Sequence, residues 1–168
     1  MAIHRYSLAD YQLTIGFPTN VASALNLRDA YGNLITNFTI GGPGENGEGS
    51  FVGQISVNRS VNAFETDGDA TGSWVHNKNN NKTGSISVSI TQISDDIIRL
   101  IQLTQVYESI QENVQGLTLT INSSAIDETT PLVTGNDCFI QKLPNYNFQA
   151  SAQSMEWSFT CGQILYRQ

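Results

Sequence analysis

Residues 83–121 read TGSISVSITQISDDIIRLIQLTQVYESIQENVQGLTLTI, and this stretch decides the fold. Ile86, Val88 and Ile90 alternate with Ser85, Ser87, Ser89 and Thr91. That period of two predicts a strand with one apolar face on a core and one face of small hydroxyls toward solvent or a channel. At Ser94 the period changes. Its hydroxyl suits an N-cap, and Asp95 and Asp96 fall in a first turn, where the helix dipole favours negative charge. Ile97, Leu100, Ile101, Leu103, Tyr107, Ile110 and Val114 then recur at three- and four-residue steps, which predicts an amphipathic helix over about 95–112. Gly116 is a plausible stop, and Leu117, Leu119 and Ile121 restore the two-residue period. One helix therefore lies across a sheet whose other strands come from the rest of the chain.

Working outward, further strands are expected at Tyr11–Phe17, Leu34–Ile40, Gln54–Val61, Asp137–Leu143 and Met155–Leu165, with a short one at Leu25–Arg28. In the last long strand Trp157, Phe159 and Cys161 share one face, and Glu156, Ser158 and Thr160 share the other. Phe64–Gly72 reads as turn-rich, Trp74–Lys82 as a polar hairpin-like connection, and Ser123–Asn136 as a polar loop. An extended arm is expected over 1–10. The result is a single mainly β domain of 168 residues, an antiparallel sandwich or partial barrel of about eight strands flanked by one helix.

Composition narrows the function. The net charge is −7, and only eight residues are Lys or Arg, so tight binding to nucleic acid phosphate is disfavoured. Charged residues make up 14% of the chain, and abundant Ser, Thr, Asn and Gln take their place. Such neutral polar surfaces suit assemblies, in which a charge at a buried contact is costly. The N-terminus lacks the apolar segment of a secretory signal, and no run is long enough for a membrane span. A chain made in a cytoplasm keeps Cys138 and Cys161 as buried thiols; a disulfide within a chain or between subunits after release is the alternative.

Catalytic and metal signatures are sparse. His4 and His76 have no Cys or His at ligand spacing, so neither a metal nor a cofactor is expected. Asp67-Gly68-Asp69 reads as a tight turn, because an EF-hand spacing and its bidentate Glu are missing. The acidic residues sit in loops, at the helix start or at single alternating positions, which favours a non-enzyme over an acid–base hydrolase. The glycine-rich stretch Gly41, Gly42, Pro43, Gly44, Glu45, Asn46, Gly47, Glu48, Gly49 and Ser50 cannot be regular structure. It is either a mobile surface loop or one that orders only against a neighbouring subunit. A phosphate cradle is disfavoured, since no GK[ST] ending follows.

The order of these elements has a counterpart. The glycine-rich loop is followed by Ile55 and Val57, Phe64, the Asp67-Gly68 turn, the strand ISVSITQIS and a helix opening SDDIIRLI. IQKLP (Ile140–Pro144) and MEWSFTC (Met155–Cys161) come late. This pattern resembles the tail tube proteins of long-tailed bacteriophages, particularly contractile-tailed ones, from about Ile40 onward. The related needle proteins of type VI secretion and contractile bacteriocins share the plan. The resemblance implies a structural subunit of stacked hexameric rings whose inner sheets join into a hollow tube that delivers DNA. It implies a virion protein assembled in the host cytoplasm, with sheath, baseplate or tape-measure and tail terminator proteins as partners. Residues 41–50 would then be the inter-ring stacking loop. Ser85, Ser87, Ser89, Thr91, Thr118, Thr120, Glu156, Ser158 and Thr160 would be the candidate lumen face, past which DNA slides without specific binding. The competing reading is a carbohydrate-binding or adhesin-like module presenting Tyr31, Trp74, Tyr146 or Tyr166 for sugar stacking.

Overall fold

The computed structural model describes residues 10–41, 52–91, 96–110, 114–123, 130–151 and 153–167. In chain order the elements are β1 (Tyr11–Gly16), α1 (Thr19–Leu25), β2 (Asn37–Gly41), β3 (Val52–Arg59), β4 (Phe64–Gly68) and β5 (Trp74–Lys78). They continue with β6 (Gly84–Thr91), α2 (Asp96–Ser109), β7 (Leu117–Ser123), β8 (Val133–Ile140) and β9 (Ser154–Tyr166). Seven strands form one antiparallel sheet in the order β2-β1-β7-β8-β9-β6-β3. It is an open sheet, not a closed barrel.

The period of two in the sequence is realised along β6, where buried and half-buried residues alternate without a break. On the inner face Ile86 lies opposite Phe159, Val88 opposite Trp157 and Ile90 opposite Met155. All six are buried. One core also receives Leu13 and Ile15 from β1, Phe38 and Ile40 from β2, and Leu117, Leu119 and Ile121 from β7. The same face of every long strand is therefore turned inward, and the helices complete the enclosure. Ile97, Leu100 and Leu103 of α2 are buried in that core, while Ile101, Val106, Tyr107 and Ile110 lie half-buried against it. Thr104 is buried too, with its hydroxyl donating to the Leu100 carbonyl at 2.8 Å. Near the end of the helix, the Tyr107 hydroxyl donates to the Gln115 carbonyl at 3.0 Å, and its ring meets Phe139 edge-on at 5.7 Å. Burial, with the Asp137 carboxylate nearby, pushes the phenol up to about 12, so Tyr107 remains a donor throughout the neutral range.

Four expectations are corrected. Leu25–Arg28 is not a strand. Leu25 ends α1, Asn26 caps it in the left-handed conformation (φ 52°), and the strand-type pairing at Arg28 is an isolated bridge to Leu34. The chain thus has a second described helix, seven residues long, with Val21 and Ala22 buried. Val133–Asn136 is not loop but the first half of β8. Phe64–Lys78 is not merely turns and connection but the paired strands β4 and β5. The predicted α2 boundaries, at about 95 and 112, lie just outside the described residues. So do Ser94 and most of the N-terminal arm.

β8 hides its own periodicity. Asp137 takes a left-handed φ of 54°, and the register against β7 slips between Leu117 and Leu119. This bulge turns both Gly135 and Cys138 inward although they are three residues apart.

Gly84 stands where β3, β6 and β9 meet. A Cβ there would overlap the Asn58 carbonyl oxygen and come within 2.7 Å of Ile164 Cδ1. The backbone oxygen cannot step aside without breaking the β3–β6 ladder. Gly84→Ala is expected to destabilise the chain by about 1–3 kcal/mol, read as a lower urea midpoint; an unchanged midpoint would refute the close packing at this corner.

Candidate functional site

The nine residues expected to share a hydroxyl face all lie on the side of the sheet away from the core, half-buried or exposed. The β6–β9 ladder sets Ser85 opposite Thr160, Ser87 opposite Ser158 and Ser89 opposite Glu156. Ser87 and Ser158 hydroxyls approach to 3.3 Å. Thr91 faces Ser154 at the end of the same ladder. β3 extends the face with Gln54, Ser56 and Asn58, opposite Ser89, Ser87 and Ser85. The Gln54 amide donates to the Ser56 hydroxyl at 3.1 Å. Thr118 and Thr120 lie farther along the sheet on β7, opposite Gly16 and Thr14 of β1. The sequence reading missed β3 and β1 as parts of this surface, because strand order is set by long-range pairing. None of the eight Lys and Arg residues occupies these positions, and Glu156 is their one carboxylate.

Among the described residues, the sheet ends in two unpaired edges, β2 and β3. An edge strand presents a row of free amide and carbonyl groups, and proteins commonly blunt it with Lys, Pro or an inward charge. β2 reads NFTIG and β3 reads VGQISVNR. Neither has a Lys or Pro. The single cation, Arg59 at the end of β3, is engaged elsewhere: its Nε and Nη2 donate to the Ile164 carbonyl at 3.1 and 2.6 Å, and it lies over the Tyr166 ring. A register shift between Val52 and Gln54 is the one irregularity.

Among the described residues β4 and β5 pair only with each other, and all ten of their residues are exposed. The ribbon displays Phe64, Trp74 and Val75, each more than 60% exposed. Its tip is ordered locally. Asp69 Oδ1 accepts from the Thr71 hydroxyl at 2.6 Å and from the Thr71 and Ser73 amides at 2.9 and 3.1 Å. The tight turn expected at Asp67-Gly68-Asp69 lies further on, over Asp69–Ser73, with Asp67 and Gly68 paired in β4, and the Asp69 carboxylate is occupied by its own loop. His76 is bonded to the Thr66 hydroxyl at 2.8 Å. Among the described residues no cluster of His, Cys, Asp or Glu could hold a metal ion, and no helix is long and apolar enough to cross a membrane.

The four aromatics considered for sugar stacking have separate settings. Tyr31 lies in the turn after α1, Trp74 opens β5, Tyr146 stacks on Phe148 at 4.6 Å, and Tyr166 ends β9 under Arg59. Of the glycine-rich stretch, Gly41 closes β2 with a φ of 80°, and 42–50 lie outside the described residues.

The described sheet is thus open, its edge strands β2 and β3 hold no Lys or Pro, and its hydroxyl face bears one carboxylate, Glu156, and no cation. The chain belongs to the bacteriophage PhiTE tail tube protein family, whose model matches residues 30–167. The family is structural and not enzymatic. Among solved structures, the chain is similar to the tube-terminating cap of the anti-feeding prophage, at 12% identity and a TM-score of 0.50, covering 99% of this chain and 93% of that one. It is also similar to a chain of the sheath–tube complex of the PVC extracellular contractile injection system in its extended state (12% identity, TM-score 0.51, 98% and 92%). The sheath/tube terminator of that system is matched over the full length of both chains at the same identity and TM-score. At this identity the likeness is one of fold. No curated protein matches the chain by sequence.

The Asp69 turn has a pH signature. Hydrogen bonds from the Thr71 hydroxyl and then from the Ser73 and Thr71 amides hold the carboxyl below its ordinary 3.8. Order at the ribbon tip is therefore complete above 3.8 and is lost as pH falls through the lower folded value. An NMR titration is expected to place the Asp69 midpoint below 3.8, and Thr71→Ala should move it back up; equal midpoints near 3.8 would refute the turn.

Proposed function

We propose that this tail tube protein is the subunit of stacked hexameric rings that form a hollow conduit for DNA. The observation that carries the reading is the cation-free hydroxyl face, bounded among the described residues by two open strand edges without Lys or Pro. Joining β3 of one copy to β2 of the next satisfies both rows of backbone groups, and a heterologous contact that closes by rotation produces a ring. The outward face of the whole sheet then becomes continuous from subunit to subunit, with the hydroxyl residues of β3, β6 and β9 recurring once per copy along the lumen wall. A wall without cations offers duplex phosphates no partner with which to exchange counterions, so DNA slides and is not held.

Stacking needs a second, axial contact. The β4–β5 ribbon suits it, because a solitary two-stranded ribbon is marginal in water and this one displays Phe64, Trp74 and Val75. The 41–50 stretch, whose Gly41 closes edge strand β2, is the other stacking element. The solved sheath–tube and terminator complexes of similar fold support sheath and terminator proteins as partners of the finished tube, and the family supports residence in the virion after assembly in the host cytoplasm. A baseplate or tape-measure partner belongs to the same reading.

Negative-stain electron microscopy of the purified chain at high concentration is expected to show rings or hollow tubes of uniform width. Single-domain particles at every concentration, with or without a tail initiator, would count against the proposal. Trp74→Ala is expected to change monomer stability by no more than about 0.5 kcal/mol yet suppress tube growth in sedimentation. Deleting Glu45–Gly49 should leave a folded subunit that does not stack, and normal tubes from that deletion would remove the loop from the account. In preformed tubes, Ser87→Lys with Ser158→Lys should slow DNA passage and create DNA binding that weakens with salt, with a log–log slope of about 0.9 per phosphate contacted. Unaltered passage would place these residues away from the lumen.

A further inference from the structure

Cys138 of β8 and Cys161 of β9 lie directly opposite each other in register. Opposed residues on antiparallel strands have Cα atoms about 4.5–5.5 Å apart, inside the span of about 4.4–6.8 Å that a disulfide bridges. Their sulfurs are 2.7 Å apart, with the Cys138 thiol donating to Cys161. Both side chains are buried. Gly135 makes the room: a Cβ there would come within 3.0 Å of Cys138 Sγ and 3.1 Å of Cys161 Sγ. The bulge at Asp137 is what turns Cys138 inward beside that glycine. No third cysteine exists to compete for either sulfur.

We propose that Cys138 and Cys161 form an oxidation site, a dithiol that hydrogen peroxide converts into a disulfide across β8 and β9. The Cys161 thiolate attacks one peroxide oxygen; the O–O bond breaks, hydroxide leaves, and Cys161 becomes a sulfenic acid. The Cys138 thiol then attacks that sulfur, the S–S bond forms, and the sulfenic oxygen departs as water. In sum, the thiols surrender two electrons and two protons, and one peroxide becomes two waters. Cys161 is the nucleophile because Cys138 donates to it. That hydrogen bond lowers the Cys161 thiol from its ordinary range and, with burial, raises that of Cys138. Burial also selects the oxidant. Peroxide is two oxygen atoms long, whereas a small-molecule disulfide would have to leave a bulky mixed disulfide in the core. The site stands on one chain's own geometry, whatever that chain assembles with.

The test exposes the full reduced chain to hydrogen peroxide, denatures and alkylates it, and measures intact mass. Two alkylated thiols before exposure and none after, both restored by tris(2-carboxyethyl)phosphine, is the expected result, with the chain still monomeric on a non-reducing gel. The unfolding constant of the oxidised chain should fall on the order of 100-fold, because the bridge constrains the unfolded state. In Cys138→Ser, oxidation should stop at a Cys161 sulfenic acid that dimedone traps once the chain is denatured in its presence. Two alkylatable thiols after peroxide, oxygen added to both sulfurs, or covalent dimers would each overturn the proposal. The wild-type mass measurement stands even if the serine variant does not fold.

Discussion

The β6–β9 ladder is the constraint on which the rest of the structure depends. Its register puts Ile86, Val88, Ile90, Met155, Trp157 and Phe159 inside, and Ser85, Ser87, Ser89, Glu156, Ser158 and Thr160 outside. Sliding one strand by a residue would exchange the faces. Six buried apolar side chains at about 1.5–3 kcal/mol each are worth roughly as much as the whole stability of a typical domain, about 5–15 kcal/mol. The slip is therefore forbidden, and the hydroxyl face is fixed by the same energy that forms the core.

A sheet of seven strands fixed in this way still has two ends. One core serves all of it, so the inner face of each edge strand is already committed: Phe38 and Ile40 of β2 are buried, and Ile55 and Val57 of β3 pack half-buried at the rim. What remains free among the described residues is the backbone edge itself. The lateral growth proposed above would need little new side-chain chemistry. This fits a chain so poor in charge, since an ionic residue at a repeated contact would be desolvated at every copy.

Legibility in the sequence followed burial. The core strand β6, the helix α2 and the strands β7 and β9 were readable because each buries one face and so writes its period into the residue order. The β4–β5 ribbon was not, since all ten residues are exposed and no apolar alternation survives. α1 was missed because seven residues make too few turns for a helical period, and Pro18-Thr19-Asn20 ends a strand as readily as it begins a helix. The first half of β8 was lost at the Asp137 bulge, which breaks the alternation. The hydroxyl residues were legible singly. Their neighbours on β3, the open edges and the meeting of Cys138 with Cys161 were not, because each depends on pairing between segments far apart in the chain.

A helical cryo-electron microscopy reconstruction of the assembled tube tests the central claim most directly. The account predicts backbone pairing between β3 of one subunit and β2 of its neighbour, with Ser87 and Ser158 facing a continuous lumen. A tube in which both edges stay unpaired, or in which the hydroxyl face of β6 and β9 points outward, would contradict it.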